Sequence, residues 1–198
     1  MESVIKKSRF IGHGAPVSSE EQALSLLKEI RERHRDASHN CFAYIVGVNQ
    51  GIMRYSDDGE PGGTAGLPII EVLKARALTD CLVVVTRYWG GILLGAAGLT
   101  RAYAQGASQA VEAAGEALME PTAVYLAEIP YPLLGRVDHY LKTAACAQSG
   151  RDFAENITME LLVREQDSAA MERDFLTLSD GRIEPVRMEE GYRAWPVE

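Results

Sequence analysis

No apolar run in this sequence is long enough to cross a bilayer, which argues against a helical membrane span. The first residues, MESVIKKSRFIGHG, carry two lysines but no apolar core behind them, so they do not read as a secretory leader and a cytoplasmic protein is expected. Cysteine is scarce: Cys41, Cys81 and Cys146 are far apart and form no C-x-x-C or Cys/His cluster. That spacing argues against a disulfide framework and a structural zinc site, so three buried, reduced thiols and no metal are expected. An excess of basic charge is also missing. The formal net charge is −8; residues 1–120 hold 12 Lys/Arg against 14 Asp/Glu, and residues 121–198 hold 8 against 14. This disfavours a general electrostatic grip on nucleic acid, most firmly in the second half, and leaves room only for a local basic pocket in the first. Walker A, G-x-G-x-x-G, G-x-S-x-G and EF-hand patterns are all absent.

What is present reads as two sets of elements, an α+β chain of two domains. SRFIGHGAPV suggests a first strand. A helix follows over SSEEQALSLLKEIRERH, with Ser18 and Glu21 fitting a capping box and Ala23, Leu26, Leu27 and Ile30 on one stripe. CFAYIVGV (41–48) and GIMRY (51–55) read as a hairpin across Asn49-Gln50-Gly51. CLVVVTRYW (81–89) is the strongest strand signal, apolar on both faces and so expected to be covered on both. Helices are expected over 68–77, with Pro68 in the first turn, and over 98–115, with Gly115 as the C-cap. The second helix carries small residues at Ala102, Gly106, Ala107, Ala110, Ala113 and Ala114, a face that permits close backbone approach. Pro121 marks a plausible boundary, giving domains 1–120 and 122–198. Beyond it the order reads β-α-β-β-α-β, the pattern of a ferredoxin-like split βαβ domain, with Asn156 turning its central hairpin.

Two glycine-rich segments carry the chemistry. TRYWGGILLGAAGLTRAY (86–103) runs from a strand into a helix N-terminus between Arg87 and Arg101. Free backbone N–H groups at a helix start, flanked by two guanidiniums, are suited to a phosphate or carboxylate; a plain glycine turn whose arginines pair with nearby acids is the alternative. SDDGEPGGTAGLP (56–68) brings Asp57, Asp58 and Glu60 together. They can serve as a metal-holding cluster, a solvated turn, or partners of the arginines. His39 beside Cys41, and the hydroxyls of Ser56 and Thr64, are weak candidates for catalysis. Tyr55, Tyr88, Trp89 and Tyr103 are candidates for base stacking or for packing.

RYSDDGEPGGTAGLPIIEVL and VVVTRYWGGILLGAAGLTRAY, together with KKSRFIGH and ASHNCFAY, resemble the Impact/YigZ family, over roughly residues 3–115. The second half resembles the extra domain of bacterial members. The resemblance implies a first domain similar to a fold shared by a ribosomal small-subunit protein domain, a domain of elongation factor G and the GHMP kinases. It implies a second domain similar to the last domain of elongation factor G. Eukaryotic relatives regulate translation by binding the activator of the amino-acid-starvation kinase, and carry a different additional domain. The residues implied as the functional surface are Asp57, Asp58, Glu60, Thr64, Arg87, Gly90, Gly91, Gly95, Gly98 and Arg101. Two departures stand out: Leu67 where a basic residue is common, and Ala97 where a glycine is usual. The leading expectation is a translation-linked binding protein contacting RNA, the ribosome or a protein partner through the glycine-loop face, with no cofactor. The alternatives are an enzyme for a phosphorylated small molecule, with Arg87 and Arg101 as clamp, and a pure protein-interaction module.

Overall fold

The structure, a computed structural model, describes residues 1–47 and 51–196. It contains two compact units, Met1–Glu116 and Ala117–Glu198, each built on its own antiparallel sheet. Among the described residues no helix is long and apolar enough to cross a membrane.

In the first unit β1 (Glu2–Ile5), β2 (Ser8–Pro16), β3 (His39–Val46), β4 (Ile52–Ser56) and β5 (Cys81–Tyr88) lie in the order β1-β2-β5-β3-β4. β5 is central, and its alternation explains its apolar run. Leu82 and Val84 pack under α1 (Glu20–Arg33) with Ala23, Leu27 and Tyr44, while Val83 and Val85 face α2 (Gly66–Ala75) and α3 (Ala96–Ala114). β3 and β4 pair as a hairpin from Val46↔Ile52 to Phe42↔Ser56; Val48, Asn49 and Gln50 lie outside the described residues.

Several boundaries differ from the sequence reading, each for a local reason. β1 gave no signal because it is short and its turn uses no glycine: Lys6 and Lys7 carry φ of 45° and 65°, a left-handed pair that joins twisted strands but is rare for lysine. The α1 cap lies one residue later than expected. Ser19 Oγ accepts from Gln22 N at 3.2 Å and Gln22 Oε1 accepts from Ser18 N at 2.7 Å, so Gln22 rather than Glu21 closes the box. α3 starts at Ala96, capped by Gly95, so Arg101 sits in its second turn rather than its first. The small-residue face of α3 does meet the sheet: Ala102, Gly106, Ala107 and Ala110 are buried, whereas Ala113 and Ala114 are exposed. Its counterpart is on β2, where a Cβ at Gly12 would stand 2.5 Å from the Gly106 carbonyl oxygen.

The second unit contains β6 (Ala117–Ile129), α4 (Leu134–Leu141), β7 (Cys146–Phe153), β8 (Ile157–Arg164), α5 (Ser168–Leu178) and β9 (Val186–Pro196). The strands lie in the order β7-β8-β6-β9, so each helix links two strands with a third between them. Ile157, Met159, Leu161 and Val163 alternate inward along β8 and pack with Tyr125, Val137, Met171 and Phe175 into one apolar core. Asn156 lies in the β7–β8 turn. Pro121 is not at a linker but inside β6. It is tolerated there because β8 pairs only from Thr122 onward, leaving Pro121 opposite Tyr192 of β9 alone.

Candidate functional site

The acidic loop is built around one carboxylate. Asp57 Oδ1 accepts from Ala65 N at 2.9 Å and Gly66 N at 2.8 Å, and Oδ2 accepts from Gly63 N at 2.9 Å. These are donors at the start of α2, which has no side-chain cap of its own. Burial opposes the charge of Asp57, yet the three backbone bonds outweigh it and hold the carboxyl below its ordinary range. Asp58, at φ 47°, accepts from Asn40 N at 2.6 Å and from Arg31 at 3.1 Å. Thr64 is buried and donates to the Pro61 carbonyl at 2.6 Å. Asp57 and Thr64 therefore commit their polar side-chain atoms to the loop and the start of α2, and Asp58 ties the loop to β3 and α1. Among the described residues no group of three or more His, Cys, Asp or Glu is arranged to hold a metal ion.

Glu60 turns inward. It is 8% exposed, and Oε1 accepts from both Arg87 Nη1 and the Tyr103 hydroxyl at 2.7 Å. Arg87, 5% exposed, also reaches Ser8 Oγ at 3.3 Å and lies over the Phe10 ring. Of the three partnerships open to the acidic loop, the structure thus shows pairing of Glu60 with Arg87. Tyr103 is core rather than a stacking surface; its burial and the neighbouring Cys41 and Glu60 push its hydroxyl pKa up. Cys41 donates to the Asp57 carbonyl at 3.0 Å, and burial above all pushes its thiol up to about 12, so it stays protonated and poorly nucleophilic. His39 bonds the Asp58 carbonyl through Nδ1 at 2.8 Å, and its Nε2 stands 3.9 Å from Glu60. Cys41, Cys81 and Cys146 are all free thiols.

Arg101 does not join this network. It is exposed, and the glycines between the two arginines explain why. A Cβ at Gly90 would overlap the Lys7 backbone, and Gly90 N donates to Ser8 Oγ at 3.2 Å. Trp89 N donates to Ser38 Oγ at 3.0 Å. Gly91 and Gly95 turn the chain with φ of 81° and 75°. Leu94 tucks inward against Gly98, while Trp89, Ile92 and Leu93 are left 57%, 40% and 82% exposed. The loop is pinned at both ends and offers aliphatic and indole surface, with Arg87 turned inward to Glu60 and Arg101 in solvent. Trp89 stood among the sequence candidates, but Ile92 and Leu93 escaped because Ile92, Leu93 and Leu94 are equally apolar; only the fold separates the one that packs inward from the other two.

Residues 6–111 match the Impact N-terminal domain, and residues 128–182 match a domain of unknown function, DUF1949. The chain belongs to the IMPACT family. Its bacterial relatives include the IMPACT family member YvyE of Bacillus subtilis, 39% identical over 91% of this chain and 83% of that protein. The family member YigZ of Escherichia coli is 31% identical over 94% and 92%. Protein IMPACT of Xenopus laevis is 38% identical over 46% of this chain and 30% of its own length. A crystal structure described as that of a hypothetical protein shares the fold, with a TM-score of 0.56 and 30% identity over 96% of this chain and 93% of that one.

Proposed function

We propose that this IMPACT-family protein is a regulatory binding protein of translation control that engages a protein partner through the glycine-loop face of its first unit. The observation that supports this most is the exposure of Trp89, Ile92 and Leu93 on a loop held at its start by hydrogen bonds to Ser38 and Ser8 and at its end by Leu94 packed against the core. Large apolar side chains on a pre-ordered loop act as anchors in protein interfaces, where they lose little freedom on binding. Gly90, Gly91, Gly95 and Gly98 set the loop's shape, and Asp57, Glu60, Thr64 and Arg87 hold the neighbouring loop and strand in place. Arg101 contributes at the rim.

The link to translation comes from the family resemblance. The choice of a protein over RNA rests on a surface in which two aliphatic side chains accompany a single indole, and on the −8 net charge. A phosphate clamp of two arginines is the weaker reading, since Arg87 is buried against Glu60. The test is site-specific photo-cross-linking in living cells, with the reactive group at position 93 and, as control, at exposed Phe153 of the second unit. A component of the translation machinery or its control proteins captured from position 93 alone is expected. Cross-links to RNA, or the same partners from both positions, would overturn the reading.

A further inference from the structure

The apolar loop has a charged rim of one sign. The β1–β2 turn carries Lys6 and Lys7, both exposed, and it abuts the loop so tightly that only glycine fits at position 90. On the other side, Leu94 packs on Gly98, and Arg101 lies one turn further along the same face of α3. Among the described residues Lys6, Lys7 and Arg101 form no ion pair, whereas Arg9, next along β2, is paired with Glu2 at 2.8 Å and Arg87 with buried Glu60. Residues 81–111 contain no Asp or Glu at all, although the chain has 28. An acidic protein thus keeps acids out of the whole stretch that carries three exposed apolar side chains, and cations without an ion-pair partner flank that stretch.

We infer that this face receives an acidic segment of a partner protein, one that sets apolar side chains on Trp89, Ile92 and Leu93 and carboxylates against Lys6, Lys7 and Arg101. The inference rests on the protein-docking reading above and names the chemistry of its partner. Unpaired cations around an apolar centre steer a complementary chain and fix its register, while the centre supplies the anchors. A nucleic acid would match the cations and could stack one base on Trp89, but Ile92 and the still more exposed Leu93 offer no ring for its neighbours.

The test uses the full chain and fluorescence anisotropy with three short synthetic peptides. They share the same Leu and Phe positions and carry Asp/Glu, Asn/Gln or Lys elsewhere; a uridine oligonucleotide is the fourth probe. The acidic peptide is expected to bind at least about tenfold tighter than the neutral one, with the difference shrinking as salt is added. Leu93→Asp should abolish that binding. Lys7→Glu combined with Arg101→Glu should switch the preference to the lysine peptide. Unchanged thermal melting of these variants, all at exposed positions, separates lost contact from lost fold. Equal binding of all three peptides, no binding of any, or no change of preference in the charge-reversed variant overturns the proposal. So does binding of the oligonucleotide that Leu93→Asp abolishes. Leu93-dependent binding that prefers the neutral or the lysine peptide would defeat the acidic partner and leave protein docking standing.

Discussion

The two units solve the same packing problem with different materials. The second places its charges around an apolar core: Arg187 with Glu165 at 2.6 Å, Arg151 with Asp138 at 2.6 Å, Arg164 with Glu120. The first takes charge and polarity inside. Glu60, Arg87 and Tyr103 form one buried cluster, Thr86 bonds Asn40 at 2.7 Å, and helix and strand approach closely through glycine. Buried ion pairs are poor investments for stability, because desolvation offsets much of their attraction. Among the described residues such a pair occurs in the first unit alone, where it holds loops in place at a cost in stability, next to the proposed contact face.

The contrast is broken or sharpened most strongly at Glu60. Glu60→Ala leaves Arg87 buried and alone, and a loss of about 3–5 kcal/mol is expected by urea unfolding. Glu165→Ala removes an exposed partner in the second unit and should cost no more than about 1 kcal/mol. Equal costs would erase the difference between the units. Next come the glycines. Gly12→Ala forces a Cβ against the Gly106 carbonyl and should destabilise by about 1–3 kcal/mol. Gly135→Ala meets nothing within 4 Å in α4 and should be neutral or stabilise by up to about 1 kcal/mol. Calorimetric melting points decide both.

A smaller effect is expected from acid. Burial, helped by His34, the N-terminal ammonium and Arg33, pushes His13 down to about 4 from 6.5. Above pH 6.5 both folded and unfolded chains hold it neutral. Below that the unfolded chain takes up the proton first, so stability of the first unit falls as pH drops from 6.5 toward 4 and then levels off. With the ring only half-buried, the loss is about 1 kcal/mol after allowing for solvent screening. His13→Gln should flatten that part of the pH profile, read as melting points across the same pH range. The smallest effect belongs to Arg101→Ala, expected to change stability by less than about 0.5 kcal/mol, against the severe loss from Arg87→Ala. That pair of melts distinguishes the structural arginine from the available one.

Elements with strong periodicity were legible from the residues alone. β5, α1 and β8 show their burial in their apolar spacing, and the β-α-β-β-α-β order of the second half is the order in the structure. The hairpin turn at Lys6-Lys7 was not legible, since lysine carries no preference for the conformation it adopts there. The start of β6 was hidden by Pro121, a breaker that an otherwise central strand accommodates where one neighbour stops pairing. Among the site residues, nearness in sequence grouped Asp57, Asp58 and Glu60, but their side chains part company. Asp57 and Asp58 bind backbone amides, and Glu60 crosses to Arg87, a distinction set by the path of the loop and not by composition. Arg87 and Arg101 looked equivalent around the glycines, yet a strand buried on both faces must internalise one, while an outward face of α3 leaves the other in water.

The oxygen that Arg87 and Tyr103 share on Glu60 has a consequence for how such a chain can drift. Positions 60 and 87 lie 27 residues apart in sequence. Any exchange at one of them alone passes through a molecule with a lone charge in its interior. Replacing Glu60 first strands the guanidinium; replacing Arg87 first leaves the carboxylate with the Tyr103 hydroxyl and, 3.9 Å away, His39 Nε2. Neither order offers a neutral first step, so paired exchange of the two positions is the expected route. A chain that exchanges both would give up the anchorage of the loop between β4 and α2 with them.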